Sequence, residues 1–172
     1  MDKAEILLNL SRLNDALKDK NVRGKIALVG GAVMCLVFSM RESTQDIDAI
    51  FEPKAIIYAC AKIVAQEQGL PDNWLNDSVK GFISPDADFQ PHIELSHLEI
   101  HAATHEYMLA MKCLSARADS AAELDDIKNL IMFLGHKTYK EVEAVMLKYY
   151  PVSRFQIKIK YIIQEVLDGL YA

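Results

Sequence analysis

The feature that most restricts the fold lies between residues 25 and 51. An apolar run, "KIALVG", stops at the adjacent glycines Gly30 and Gly31, an apolar "GAVMCLVFSM" follows, and "DIDAIF" then sets Asp46 and Asp48 inside a third apolar run. The first run reads as a short buried strand, the second as a helix starting at the glycines, and the third as another strand. The fold class expected is therefore α+β, a small mixed sheet early in the chain with helices packed on it.

Residues two apart in a strand face the same side, so Asp46 and Asp48 present two carboxylates to one point while Ile47 and Ala49 face the other way. Two like charges with no partner are costly there. A hard divalent cation removes that cost, because magnesium takes oxygen ligands and bridges carboxylates to phosphates. Gly30 and Gly31, lacking side chains, let a triphosphate approach the backbone amides at the start of the following helix. The bland alternative is a tight turn at the glycines and a solvated face at the aspartates. Neither G-x-G-x-x-G nor G-K-[ST] occurs, so the other common phosphate-binding loops are excluded.

Around this segment the pattern is mostly helical. Ile6, Leu7, Leu10, Leu13 and Leu17 form a stripe between Asp2 and about Lys20, with Gly24 as the expected stop, and Pro53 opens a helix that Gly69 ends. The stretch from Leu70 to Pro91 is rich in turn residues, and "HIELSHLEIHA" alternates as two strands. Helices follow from Thr104, through "AAELDDIKNLIMFLG" to Gly135, and from a Thr138–Glu141 capping box to about Tyr149. Ser153 is the expected cap of a closing helix carrying Phe155, Ile157, Ile159, Ile162, Ile163 and Val166. The expected organisation is a core over residues 1–103 and a helical part over 104–172.

With 51% hydrophobic and 25% charged residues in 172, the chain suits one domain or one domain with a helical appendage. No run of about 18 uncharged apolar residues is present and the first residues are acidic and helical, so the expectation is a cytoplasmic protein with no membrane partner. A net charge of −5 argues against nonspecific coating of nucleic acid, although a local basic groove is compatible with it. Cys35, Cys60 and Cys113 lack C-x-x-C spacing and read as reduced core residues. His97, His101 and His105 recur every fourth residue, but the alternation around them favours a strand over a helical metal face, and no zinc spacing is present. Trp74, beside Leu75, reads as a core anchor, with a cover for a nucleotide base as its alternative.

Taken together, "VGGAVM" and "RESTQDIDAIF" resemble the nucleotidyltransferase fold of the DNA polymerase beta superfamily, whose signature is a Gly-Gly or Gly-Ser turn and helix followed by an Asp-x-Asp strand. The likeness is narrower to bacterial nucleotidyltransferase-like proteins related to abortive-infection and toxin–antitoxin transferases. It continues through "LPDNWLND" and "EYMLAMKCLSAR…ELDDIKNL", to about Gly135. The resemblance implies a magnesium (or manganese) cofactor at Asp46 and Asp48, and an NTP substrate held by Gly30, Gly31, Arg41, Thr44, Lys112 and Arg117. It implies catalytic roles for Lys112 and Asp126, with Glu123 and Asp125 as neighbours of the latter. Lys112 snorkelling to solvent and Asp126 as an ordinary first-turn acid are the alternatives.

The full polymerase-type pattern has a third carboxylate on a later strand as general base. Glu99 is the best candidate here and Glu94 the second, neither in a diagnostic motif. The activity implied is transfer of a nucleoside monophosphate to a hydroxyl acceptor, with tRNA or a protein as acceptor classes and a cognate antitoxin as a partner. The rival is a catalytically weak or inactive interaction module whose late helices, with Met132, Phe133, Tyr149 and Tyr150 exposed, dock a partner or a second copy as a homo-oligomer.

Overall fold

Asp2 starts helix α1 (Lys3–Asp19) with a capping box: its carboxylate accepts the Glu5 N–H while the Glu5 carboxylate accepts the Asp2 N–H. The computed structural model describes residues 1–172. Ile6, Leu10, Leu13 and Leu17 are buried along α1, whereas Leu7 lies off the stripe and is exposed. The helix is ended by Lys20 and by Asn21, which turns the chain at φ 52°. Gly24 is therefore not the stop. It opens strand β1 (Gly24–Val29), where an added Cβ would lie 3.0 Å from Leu17 Cδ1.

Helix α2 (Gly30–Leu36) follows β1 directly and is shorter than the sequence predicts. Its tail curls back, with the Met40 N–H donating to the Met34 carbonyl and Ser39 at φ 55°, so the apolar residues after Leu36 are not helical. Next come β2 (Ile47–Glu52), α3 (Lys54–Gln68), the two-residue β3 (Leu75–Asn76) and a 3₁₀ turn, Ser78–Phe82. Strands β4 (Phe89–Glu94) and β5 (Leu98–Ala103) are the two expected strands and pair antiparallel, β4 beginning at Phe89 inside the stretch read as turns. Gly69 caps α3 in the left-handed region.

The sheet order is β3-β2-β1-β5-β4, with β1 antiparallel to β2 and parallel to β5, and β2 parallel to β3. Register sorts the side chains of the three central strands. Ile26, Leu28, Ile47, Ala49, Leu98, Ile100 and Ala102 share one buried face. Lys25, Asp48, Glu52, Glu99 and His101 share the other. Trp74 is fully buried and its indole N–H donates to the Ala61 carbonyl at 2.9 Å, which makes it a core anchor and removes it as a base cover. Asn14 accepts the His97 N–H at 2.8 Å and thereby holds the β4–β5 connection.

The chain divides into two units, Met1–Gly81 with Phe89–Ala103, and Phe82–Asp88 with Thr104–Ala172. The first contains the whole sheet with α1, α2 and α3. The second contains α4 (His105–Ser115), α5 (Ala121–Leu134), α6 (Tyr139–Tyr149) and α7 (Ile157–Tyr171). Thr138 and Glu141 make the expected capping box of α6. Ser153 instead sits in a 3₁₀ turn (Val152–Arg154), and α7 begins at Ile157 with no side-chain cap. Ile157 is 81% exposed, while Ile159, Ile162 and Ile163 are buried.

Met132 and Phe133 are exposed as expected, but Tyr149 and Tyr150 are buried, the Tyr150 hydroxyl donating to the Phe82 carbonyl at 2.5 Å. The three cysteines are free and buried, and burial pushes the Cys113 thiol up to about 12, which leaves it inert. No helix is long and apolar enough to cross a membrane.

Candidate functional site

At the junction of β1 and α2 the backbone turns at Gly30 with φ +66°, a conformation that favours glycine. Val29 is in register with Asp48 of the antiparallel β2, which brings the Asp48 carboxylate over this turn. A Cβ added at Gly30 would meet Asp48 Oδ2 at 3.0 Å. At Gly31 it would meet Thr44 Oγ1 at 2.5 Å and the Arg41 guanidinium at 3.0 Å. Both glycines are thus dictated by close approach, and the residues crowding them, Asp48, Thr44 and Arg41, are among those that the sequence proposes for the same site.

Asp46 precedes β2. Its Oδ2 accepts from Asn76 Nδ2 at 3.0 Å, and Asp48 Oδ1 faces the Ser78 hydroxyl at 3.3 Å. The Ser78 hydroxyl also lies 2.5 Å from Asn76 Oδ1, so Asp46, Asn76, Ser78 and Asp48 form one polar chain. Both aspartates are partly exposed, flanked by the fully buried Ile47 and Ala49. Thr44 is buried and donates its hydroxyl to the Asp46 carbonyl at 3.1 Å, so it shapes the turn before the aspartates.

Glu99 is not brought to this cluster. It pairs in register with Lys25, four residues from Val29, which places it about 13 Å from Asp48 along the strands. There it meets His101 Nε2 at 2.5 Å and Lys25 Nζ at 3.5 Å. The hydrogen bond from His101, with Lys25 adding to it, holds the Glu99 carboxyl below the usual range. Glu94, on the edge strand β4, is paired with Arg23. The β5 positions nearest the level of Asp48 are Ala102 and Ala103, which carry no acid.

The second unit holds the other predicted residues. Lys112 Nζ lies 2.7 Å from Asp126 Oδ2, their side chains 12% and 2% exposed, and Arg117 bonds Glu123 at 2.9 Å on the surface. Asp126 is thus no ordinary first-turn acid, and Lys112 does not snorkel. Each answers the other's buried charge. Of the histidines, His101 is on β5, as the alternation predicts, and His105 stacks on Phe133 with centroids 3.9 Å apart.

Sequence reasoning missed Asn76 and Ser78 as site residues. The only available signal was their place just after the buried Trp74 and Leu75, where a polar residue in register with Asp48 must face the same side as that acid. Asp77 between them points the opposite way, accepting from Lys54 Nζ and from the Tyr58 hydroxyl. Hydrogen bonding by Lys54 first, then by Tyr58, holds the Asp77 carboxyl below the ordinary carboxylate range.

No group of three or more His, Cys, Asp and Glu side chains is arranged to hold a metal ion. Two carboxylates nevertheless suit magnesium, which is commonly bound through one or two carboxylates together with substrate phosphates and water. No protein-family model matches the chain, and no curated protein or solved structure matches it.

Proposed function

We propose that the first unit is a magnesium-dependent nucleotidyltransferase module that moves a nucleoside monophosphate from an NTP to a hydroxyl acceptor, with tRNA or protein as the acceptor classes. The observation that carries this reading is the approach of Asp48 Oδ2 to within 3.0 Å of where a Gly30 Cβ would be. An acid pair held against a backbone turn supplies the oxygens a divalent cation needs to hold a polyphosphate. Asp46 and Asp48 would hold magnesium, which when bound would supply neutralisation of phosphate charge.

The chain's own residues then have separable tasks. Asp46 and Asp48 would hold the cation, Gly30 lets the Asp48 carboxylate lie against the β1–α2 turn, Gly31 makes room for Thr44 and for the positive charge of Arg41, and Thr44 fixes the turn. The acceptor hydroxyl gives its proton to water as its oxygen bonds to the α-phosphorus, the bond from that phosphorus to the oxygen bridging the β-phosphate breaks, and pyrophosphate leaves. Because such catalysis is largely positioning, misplacing one acid should cost on the order of a hundredfold in rate. Incubation with labelled NTPs and magnesium, comparing the protein with Asp48→Ala, tests this. Equal labelling by the two proteins removes the proposal.

A second reading has its own observation. Glu99 and Glu94 lie at the far end of the sheet and the β5 residues level with Asp48 are alanines, so no third carboxylate is available within the sheet as general base. On this reading the unit binds nucleotide without turning it over. Calorimetry with magnesium and NTP that detects binding, alongside no label transfer, selects it.

A further inference from the structure

Asn76 occupies a place that the transferase reading leaves without a task. It is in register with Asp48 on the neighbouring strand, yet its side chain contacts Asp46. The carboxamide orientation is fixed by its surroundings. Asn76 Oδ1 accepts the Ser78 backbone N–H at 3.0 Å, a group that can only donate, so the oxygen must face Ser78 and the NH₂ must face Asp46 Oδ2. The second NH₂ hydrogen is directed at the Asn73 carbonyl, 3.3 Å away.

The segment behind it is anchored independently. Asp77 turns to α3, where it accepts from Lys54 and Tyr58, and the Tyr58 ring packs edge-on against Phe51 of β2 at 4.9 Å. Asn76 and Ser78 therefore face the aspartates from a support that is tied to the same strand that carries Asp48. A carboxylate at the start of a strand, free to rotate, would point one oxygen at water as readily as at a cation. Donation to Oδ2 removes that freedom and leaves Oδ1 as the ligand oxygen.

We infer that Asn76 is a positioning residue for the cation site: its carboxamide, locked by Ser78, holds the Asp46 carboxylate so that it and Asp48 converge on one divalent cation. This rests on the transferase or nucleotide-binding reading of the acid pair. Groups that orient metal ligands typically account for 10–100-fold in metal affinity.

The test is calorimetric titration of the magnesium complex of inorganic tripolyphosphate into the full chain, which needs no acceptor and no base preference. Asn76→Ala is expected to weaken binding about tenfold. Asn76→Leu, of similar shape but without the donor, is expected to do the same and guards against a variant that fails to fold. Because Asn76 acts through Asp46, Asn76→Ala added to Asp46→Ala should cause no further loss. Unchanged binding in both Asn76 variants, or a full additional loss in the double variant, overturns the inference while leaving the acid pair intact. A protein that binds the complex no better than Asp46→Ala and Asp48→Ala do removes the cation reading itself, and this inference with it.

Discussion

Gly30→Ala separates the consequences of backbone conformation from those of crowding at the acid pair. Gly30, at φ +66°, and Gly69, also at φ +66°, both lie in the first unit, so an alanine at either must enter the left-handed region. That conformation costs about 1–2 kcal/mol for a residue with a Cβ. At Gly69 nothing lies within 4 Å of the added atom, and the cost stops there. At Gly30 the new Cβ meets Asp48 Oδ2 at 3.0 Å, tighter than nearly all real contacts, and Asp48 is tied into β2. Crowding of this kind adds roughly 1–3 kcal/mol, so Gly30→Ala should cost about 2–5 kcal/mol against about 1–2 for Gly69→Ala.

Denaturant unfolding of both variants measures the difference, and titration with magnesium tripolyphosphate measures its effect on the site. Asp48 must move by a few tenths of an ångström, so binding should fall in Gly30→Ala and stay unchanged in Gly69→Ala. Equal destabilisation with binding intact in both variants would refute the claim that Gly30 is glycine because Asp48 needs the space.

Two further outcomes follow from the charge pairs. Asp126→Ala should destabilise the second unit by about 3–5 kcal/mol by leaving Lys112 buried without its partner, and Lys112→Met combined with Asp126→Leu should recover most of it. A loss below about 1 kcal/mol in the single variant, read from unfolding curves, would show that Lys112 relaxes to water. Asp77, held low by Lys54 and Tyr58, contributes stability that is present above the ordinary carboxyl pKa of about 3.9 and is lost as pH falls through its depressed folded value. A carboxyl titration followed by NMR should therefore show a midpoint below the ordinary value that rises in Lys54→Met, and an unmoved midpoint would remove Lys54 as the cause.

Local patterns carried much of the fold. The Thr138–Glu141 box, the stops at Gly69 and Gly135, and the burial of Ile47 and Ala49 beside Asp48 are each written in a few adjacent residues, because capping and strand alternation are short-range. Where local patterns misled, a longer-range contact prevailed. Gly24 serves close packing against Leu17 rather than ending a helix, and Tyr149 and Tyr150, apolar enough to be exposed docking residues, are packed inside the second unit.

The sequence by itself determined that two carboxylates stand two residues apart around Ile47 and that two glycines open a helix, since both follow from spacing along the chain. Only the tertiary structure decided that Asp48 lies over Gly30, that Asn76 and Ser78 join the two aspartates, and that Glu99 stays about 13 Å away along the sheet. Those outcomes depend on strand order and register. A one-residue slip in pairing would turn Asp48 to the opposite face, and no local pattern states which residues of β1, β2, β3 and β5 stand level with one another.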